Sequence, residues 1–504
     1  MSESRAPTRM LVLVAVVVLA SAIIYPQFSL NHDTSWYLVS TRMLLDGAGL
    51  YSDIYEINPP LAFYITTPAL IISDLTHLRP AAAFFLYASV LGGLSVVWVY
   101  LIALRARLET PARTALFAGS LAGIFLLPMP DFGQREHLML IFCMPYFVQL
   151  LLRERLAATS RTEAIAYGVV AFFGLGLKPY FLLIPAGIIV ARFWRTRDWR
   201  EFLNLPNISV AATLVGYLGL IAGFHPLYLE EIVPTASVVY SAFGFETPNV
   251  LLRSALFALA AIFALAILCR KSLDLAAWAM LGGVVGSTIA YVVQFKGWNY
   301  QLIPASFFVL LAAVWITILD RQRIRERVPL GIVAMTAALF SLGTQIAKGP
   351  YQSRTTGQFA PFVTRSDTSV LVLSTRVSEA FPFVNEVNAR WTSRYPSQWL
   401  LPGVVRLLAS TDCRSRPPRC VRAQQVLLKA QLSMVEDFVR HRPQLVFVDD
   451  KDKKYYFGGV RFDYIPFLLN NGVFAEIWQE YRQVGNAGDY QVWALGDYTE
   501  RRIT

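Results

Sequence analysis

The sequence predicts a polytopic α-helical membrane protein, with about eleven transmembrane helices and a C-terminal external α/β domain. Three observations predict it. The chain is 55% hydrophobic with a mean hydropathy of +0.46, too apolar for an ordinary soluble protein of 504 residues. Charge-free runs long enough to cross or nearly cross a bilayer recur along its first two thirds. After Ala347 the runs stop and the residue pattern becomes that of a soluble domain.

A spanning helix needs about 20 apolar residues, with roughly 17 to 25 tolerated. Met10–Leu30 meets this without a single Asp, Glu, Lys or Arg. The further runs are Ala81–Leu104, Thr114–Pro130, Leu138–Leu152, Phe202–Phe224, Ser254–Cys269, Leu275–Phe295, Gly297–Asp320 less its last residue, and Val328–Ala347. Ala164–Leu177 and Pro179–Ala191 are each too short to span. They flank Lys178-Pro179 and read as half-helices of one broken hairpin, a form tolerated in a membrane where the freed backbone lines a cavity.

The basic residues set the orientation. Arg5 and Arg9, Arg105–Arg113, Arg153–Arg161, Arg192–Arg200, Arg270-Lys271 and Arg321–Arg327 cluster in one set of loops, and the alternate loops are poor in Lys and Arg. The positive-inside rule puts the clusters in the cytoplasm, with the N-terminus, and puts Asn31–Pro80 and the C-terminal domain outside. The expected location is therefore the cell inner (plasma) membrane, multi-pass. Most of the net charge of +11 is this bias. Nucleic-acid binding is an unnecessary explanation of it, and no such partner is expected, since the basic residues form no continuous patch. Ala20-Ser21-Ala22 resembles a cleavage site, but the apolar run continues to Tyr25 and favours an uncleaved first helix.

Residues 1–347 are expected to form the membrane domain and 348–504 the external one. In the latter, Ser369–Leu373 and Leu445–Val448 are β-branched runs suited to buried strands. Arg422–Arg440 reads as an amphipathic helix stopped by Pro443. Tyr481–Val484 and Tyr490–Leu495 flank a Gly-containing hairpin loop. Cys413 and Cys420 stand either as a small disulfide loop, if the compartment is oxidising, or as two free thiols.

Three constellations fall on the external side. The loop Asn31–Leu61 carries His32-Asp33, Trp36, Tyr37, Asp53, Glu56 and Asn58-Pro59-Pro60. Its simplest reading is that Asn31 or Asp33 caps a helix over Thr34–Leu45. Carboxylates at a membrane surface otherwise mark a task, because burying them there is costly. Asp131-Phe-Gly-Gln-Arg-Glu-His137 packs more charge into a short turn than a connection needs, although a solvated Arg-Glu turn would explain it. Lys178 stands in GLGLKPY and Lys296 in QFKGWNYQLIP. A lysine at this depth often only snorkels to headgroups.

These positions resemble the GT-C superfamily of membrane glycosyltransferases, which take sugars from polyprenyl-phosphate carriers. That pattern has a first carboxylate just after the first membrane helix, where Asp33 stands. Its second lies in the loop between the third and fourth helices, where Asp131 and Glu136 are both candidates. The Lys178 segment is similar to a Lys-Gly-Pro element of bacterial relatives of the protein mannosyltransferases and of the lipid A aminoarabinose transferases, with Lys-Pro-Tyr here instead. The resemblance covers roughly Met10–Ala347.

The resemblance implies a transferase that moves a sugar, hexosyl or pentosyl, from a polyprenyl-phosphate donor to a lipid, glycan or protein acceptor on the outer face of the inner membrane. Asp33, with Asp131 or Glu136, would act as base on the acceptor hydroxyl. Lys178, Arg135 and Lys296 would stabilise the departing phosphate. His32, Trp36, Tyr37, Glu56, Asn58, His137, Trp298 and Tyr300 are the substrate-binding candidates, and interfacial anchoring alone would explain the aromatic ones. No cofactor is required. A divalent metal bridging the carboxylates is compatible with them, but no ligand spacing demands one. Nucleotide sugars are disfavoured as donors, since no Gly-rich phosphate loop is evident. The competing reading is a polytopic lipid or glycolipid transporter or flippase. It would keep its charges near the midplane and carry paired repeats, whereas the acidic residues here cluster in two external loops.

Overall fold

The computed structural model describes residues 6–156, 159–244, 250–318, 324–415, 417–496 and 498. Arg5, Asp320, Arg321 and Arg323 lie outside the described residues. The chain divides into two compact units, not at residue 347 but by interleaved segments. The first comprises Met1–Phe28, Ile71–Leu220 and Phe245–Tyr351; the second comprises Ser29–Leu70, Ile221–Gly244 and Gln352–Thr504.

The first unit is helical. Its helices are α1 (Ala6–Ile24), α4 (Pro80–Arg105), α5 (Thr110–Phe125), α6 (Arg135–Leu151), α7 (Arg161–Leu175), α8 (Leu183–Thr196), α11 (Ser254–Leu268), α12 (Leu275–Gln294), α13 (Ile303–Ile318) and α14 (Ile324–Lys348). Two helices are shared between the units, α3 (Leu61–Thr76) and α9 (Leu205–Phe224). Among the described residues, six helical segments are long and apolar enough to cross a membrane: Thr8–Gln27, Pro80–Arg105, Leu205–Phe224, Leu275–Gln294, Asn299–Thr317 and Val328–Lys348. The other expected spans form helices of 14 to 17 residues, below that length.

The break at Lys178 is present. The helix α7 stops at Leu175, Lys178 is extended (φ −149°, ψ 134°), and Pro179–Leu182 form a 3-10 turn that leads into α8. The helices α8 and α12 then cross at backbone contact. A Cβ on Gly187 would sit 2.3 Å from the Gly282 carbonyl oxygen, and one on Gly286 2.3 Å from that of Leu183. Small residues are what allows such an approach, the usual means of packing helices in lipid.

Where these helices end, a charge network is buried. Arg192, 2% exposed, donates from Nε and Nη2 to the two oxygens of Glu201 at 2.9 and 3.2 Å, and from Nη1 to Glu154 at 3.1 Å. Arg153 adds a 2.8 Å bond to Glu201.

The second unit holds α2 (His32–Leu45), α10 (Val233–Val239) and an α/β domain. The domain has β1 (Ser369–Leu373), β2 (Arg390–Trp391), β3 (Leu445–Asp449), β4 (Tyr481–Ala487) and β5 (Tyr490–Leu495), with the helices α15 (Leu400–Ser410), α16 (Pro418–His441), α17 (Tyr464–Leu469) and α18 (Gly472–Trp478). The sheet order is β2-β1-β3-β5-β4. The strands β1, β2 and β3 run parallel, while β5 and β4 form the antiparallel hairpin read from the sequence. The β1 and β3 runs are buried throughout, as expected for parallel strands covered on both faces.

The hairpin loop is shorter than expected. Gly485–Ala487 continue β4 past an irregularity after Gln483, which leaves Gly488-Asp489 as the turn, with Gly488 at φ +60°. Cys413 and Cys420 form a disulfide at the start of α16, with Cα atoms 5.8 Å apart. Within this unit Gly403 of α15 lies against α10, where a Cβ would meet the Val239 carbonyl oxygen at 2.1 Å.

Candidate active site

In the first unit the turn before α6 is built around His137. Gly133, at φ +82° and close against Phe84, donates its N–H to His137 Nδ1 at 2.9 Å, which places the ring proton on Nε2. The ring lies 4.5 Å from that of Phe132. Gln134 is the N-cap of α6, and Arg135, Glu136 and His137 fill its buried first turn. Carboxylates favour that position, because the helix dipole presents partial positive charge there. Asp131 closes a 3-10 turn, its carbonyl accepting from Gln134 N at 3.0 Å, and is partly exposed.

Lys178 reaches Glu136 from the break between α7 and α8. Its Nζ donates to Glu136 Oε1 at 2.6 Å, with side chains 9% and 1% exposed. The ammonium also lies 5.3 Å from the Tyr300 ring centre and 5.7 Å from that of Phe181. Glu136 Oε2 is buried with no hydrogen-bond partner among the described residues. The structure thus brings together three residues singled out in the sequence, Glu136, Lys178 and Tyr300. Trp298 lies tilted against Tyr300, with centroids 5.7 Å apart. Lys296, between α12 and the turn leading into α13, is 7% exposed, and burial pushes its ammonium down from 10.5 to about 8. Arg135 is likewise buried.

The second unit settles which residue caps α2. Asn31 does so, its Oδ1 accepting from Asp33 N at 3.1 Å. Asp33 therefore sits in the first turn, with its carboxylate not serving as the cap; its Oδ1 is 3.5 Å from His32 Nε2. Further along, Trp36 Nε1 donates to Glu56 Oε2 at 2.7 Å, and Asn58 donates to Glu56 Oε1 from its backbone N–H at 3.0 Å and from its amide. Trp36 packs on Phe381 and Tyr37 on Phe63, the indole and the phenol both being buried. Trp36, Glu56 and Asn58 form a latch that fixes the path of the loop. Asp53 accepts from Gly49 N and pairs with Arg440 at 3.2 Å; the backbone donor, ahead of the arginine, holds its carboxyl below the usual range.

Sequence reasoning missed the pairing of Lys178 with Glu136, because 42 residues and a helix pair separate them. It also took Arg192 for a topological charge alone. Among the described residues no group of three or more His, Cys, Asp or Glu could hold a metal ion.

A broken helical hairpin with a buried lysine thus stands in a chain of apolar helices that also carries an α/β domain, and this fold is similar to that of a solved structure. The structure is similar to that of ArnT from Cupriavidus metallidurans bound to undecaprenyl phosphate, with a TM-score of 0.51 and 13% sequence identity over 96% of this chain and 97% of that one. ArnT of the same organism in its apo state gives 0.47 and 14% over 97% and 98%. No protein-family model matches the chain, and no curated protein matches its sequence.

Proposed function

We propose that this protein is a membrane glycosyltransferase that moves a sugar from a polyprenyl-phosphate donor to an acceptor hydroxyl at the external face of the inner membrane. The buried Lys178–Glu136 pair beside Tyr300 carries the reading. A cation held without solvent is worth far more to a departing phosphate than a hydrated one. The fold's likeness to an ArnT crystallised with undecaprenyl phosphate supports the lipid class of the donor.

In this mechanism Lys178 stabilises the negative charge that develops on the phosphate as the anomeric C–O bond breaks. Glu136 orients the ammonium, so that Asp131 is left as the second carboxylate of the first unit. Arg135 and Lys296 add positive charge for the phosphate. Asp33 takes the proton of the attacking hydroxyl, its carboxylate not being needed as a helix cap. Acceptor and sugar are read as cell-envelope components.

The test is transfer in liposomes from a radiolabelled polyprenyl-phosphate sugar pool to envelope extract, for the wild type and for Asp33→Asn. Labelled product with the wild type and none with the variant is the expected result. Donor uptake across the bilayer without a new glycosidic bond would favour the flippase reading instead.

A further inference from the structure

The surface of α16 carries a pattern that the transfer reaction does not use. Its buried face, with Cys420, Ala423, Ala430, Met434 and Phe438, packs into the second unit. On the opposite face Val421, Leu428, Leu432 and Val439 recur at spacings of 7, 4 and 7 residues, forming one helical line of apolar side chains 37 to 56% exposed. A groove of about 460 Å³ lies along this line, lined by Gln425, Leu428, Lys429, Leu432, Ser433 and Glu436.

The charge beside this stripe is mostly positive, although Asp412, just before it, accepts from Arg414 N at 3.0 Å. From Cys413 to Val435 there is no Asp or Glu. Arg414, Arg419 and Arg422 are exposed and enter no ion pair among the described residues, while Lys429 pairs with Glu231 at 2.6 Å and Arg440 with Asp53. Glu436, the one acid of the groove, is bound to Arg394 at 2.7 Å. Arg419 and Arg422 also oppose the dipole at the start of a 24-residue helix, so helix stability does not account for them. The Cys413–Cys420 disulfide ties the Arg414 loop to the helix's first turn.

An exposed apolar line with arginines at its edge is the surface of an interfacial helix, which combines apolar burial with attraction to anionic headgroups. We propose that this face of α16 docks on anionic phospholipid, with phosphates over Arg414 and Arg422 and acyl carbons against Val421, Leu428 and Leu432. A soluble polyanion would leave the leucines without a role, and a neutral lipid the arginines. The inference does not depend on the transferase reading.

The test uses the full chain in nanodiscs of phosphatidylcholine with or without phosphatidylglycerol. Hydrogen exchange is followed in α16, and Leu428→Trp fluorescence is followed with brominated phosphatidylglycerol. Slower exchange of α16 by severalfold in the anionic discs, quenching of the new tryptophan, and loss of the exchange protection in Arg414→Gln/Arg422→Gln are expected. Exchange in α15 and β3 serves as the control that the variant is folded. Equal exchange in both discs overturns the proposal. So does protection that grows with protein concentration and survives removal of the arginines, which would make the stripe a contact between copies of the chain.

Discussion

Lys178 Nζ and Glu136 Oε1 stand 2.6 Å apart in a setting where neither side chain is more than 9% exposed. A buried pair of this kind contributes little net stability against an apolar alternative, yet removing one partner strands the other charge at a cost of roughly 3–5 kcal/mol. That asymmetry lets stability and function be separated. Lys178→Ala is expected to lower both the folded fraction and donor-dependent turnover, the latter by about a hundredfold or more. Lys178→Met/Glu136→Gln should restore thermal stability while leaving turnover lost. Wild-type turnover by the double variant would remove Lys178 from the phosphate site.

Asn31 and Asp33 make opposite predictions. Asn31→Ala removes the cap of α2 and should cost about 1 kcal/mol of stability with turnover largely kept. Asp33→Asn leaves the cap in place, so the protein should insert and melt as the wild type does while transferring no sugar. Turnover of purified protein, with a melting curve for each, checks both. Full activity in Asp33→Asn would deny the carboxylate its role as base.

Lys296 gives the reaction a basic limb. Its ammonium, lowered from 10.5 to about 8 by burial, is lost as pH rises through about 8. A bound phosphate stabilises the charged form, so donor binding takes up a proton and weakens above that pH. KM for the donor should therefore rise from about pH 8 upward, and Lys296→Arg, charged throughout, should flatten the rise. The free protein behaves in the opposite sense: between about 8 and 10.5 the unfolded chain holds more protons on this group, so its contribution to stability grows with pH. A donor KM independent of pH in the wild type would exclude Lys296 from the phosphate site.

Arg192→Ala removes two bonds to Glu201, which is 4% exposed, and leaves it paired with Arg153, so it should cost roughly 1.5–3 kcal/mol. Arg192→Lys cannot reproduce the two-pronged contact with Glu201 and should recover only part of it. Thermal unfolding in detergent measures the difference, and a loss below about 1 kcal/mol would mean that the network is solvated like a surface pair.

Orientation is open to a direct measurement. A reporter active only outside the cytoplasm, fused after Thr504, should be active, as the arginine bias of the loops requires. A cytoplasmic signal would reverse the sidedness of Asp33 and with it the choice of a lipid-linked donor.

Much of the fold was legible because it rests on local patterns. The β1 and β3 runs, the helix before Pro443 and the break at Lys178-Pro179 each declare themselves within a few residues. The candidate site was legible as residue types in loops, since charge beside apolar runs stands out. Its pairings were not. Glu136 with Lys178 and Arg192 with Glu201 form only when helices distant in sequence pack, and no short window contains both members. The capping of α2 was left between Asn31 and Asp33, because both residue types serve equally well and only backbone geometry decides. The division into units escaped for the same reason: hydropathy separates membrane from water, whereas the packing of Ser29–Leu70 with residues beyond 352 is a tertiary matter.

That interleaving has a consequence for biogenesis. The second unit draws on segments that leave the ribosome far apart in time: Ser29–Leu70 first, Ile221–Gly244 midway, and Gln352–Thr504 last. Trp36 meets Phe381, and Val239 meets Gly403, only once residues 381 and 403 have emerged. Until then the early segments wait without their partners, and a chain truncated near residue 350 leaves them so permanently. Quality control that senses exposed apolar surface would thus read the whole protein through its last third, which makes late nonsense mutations as damaging as early ones.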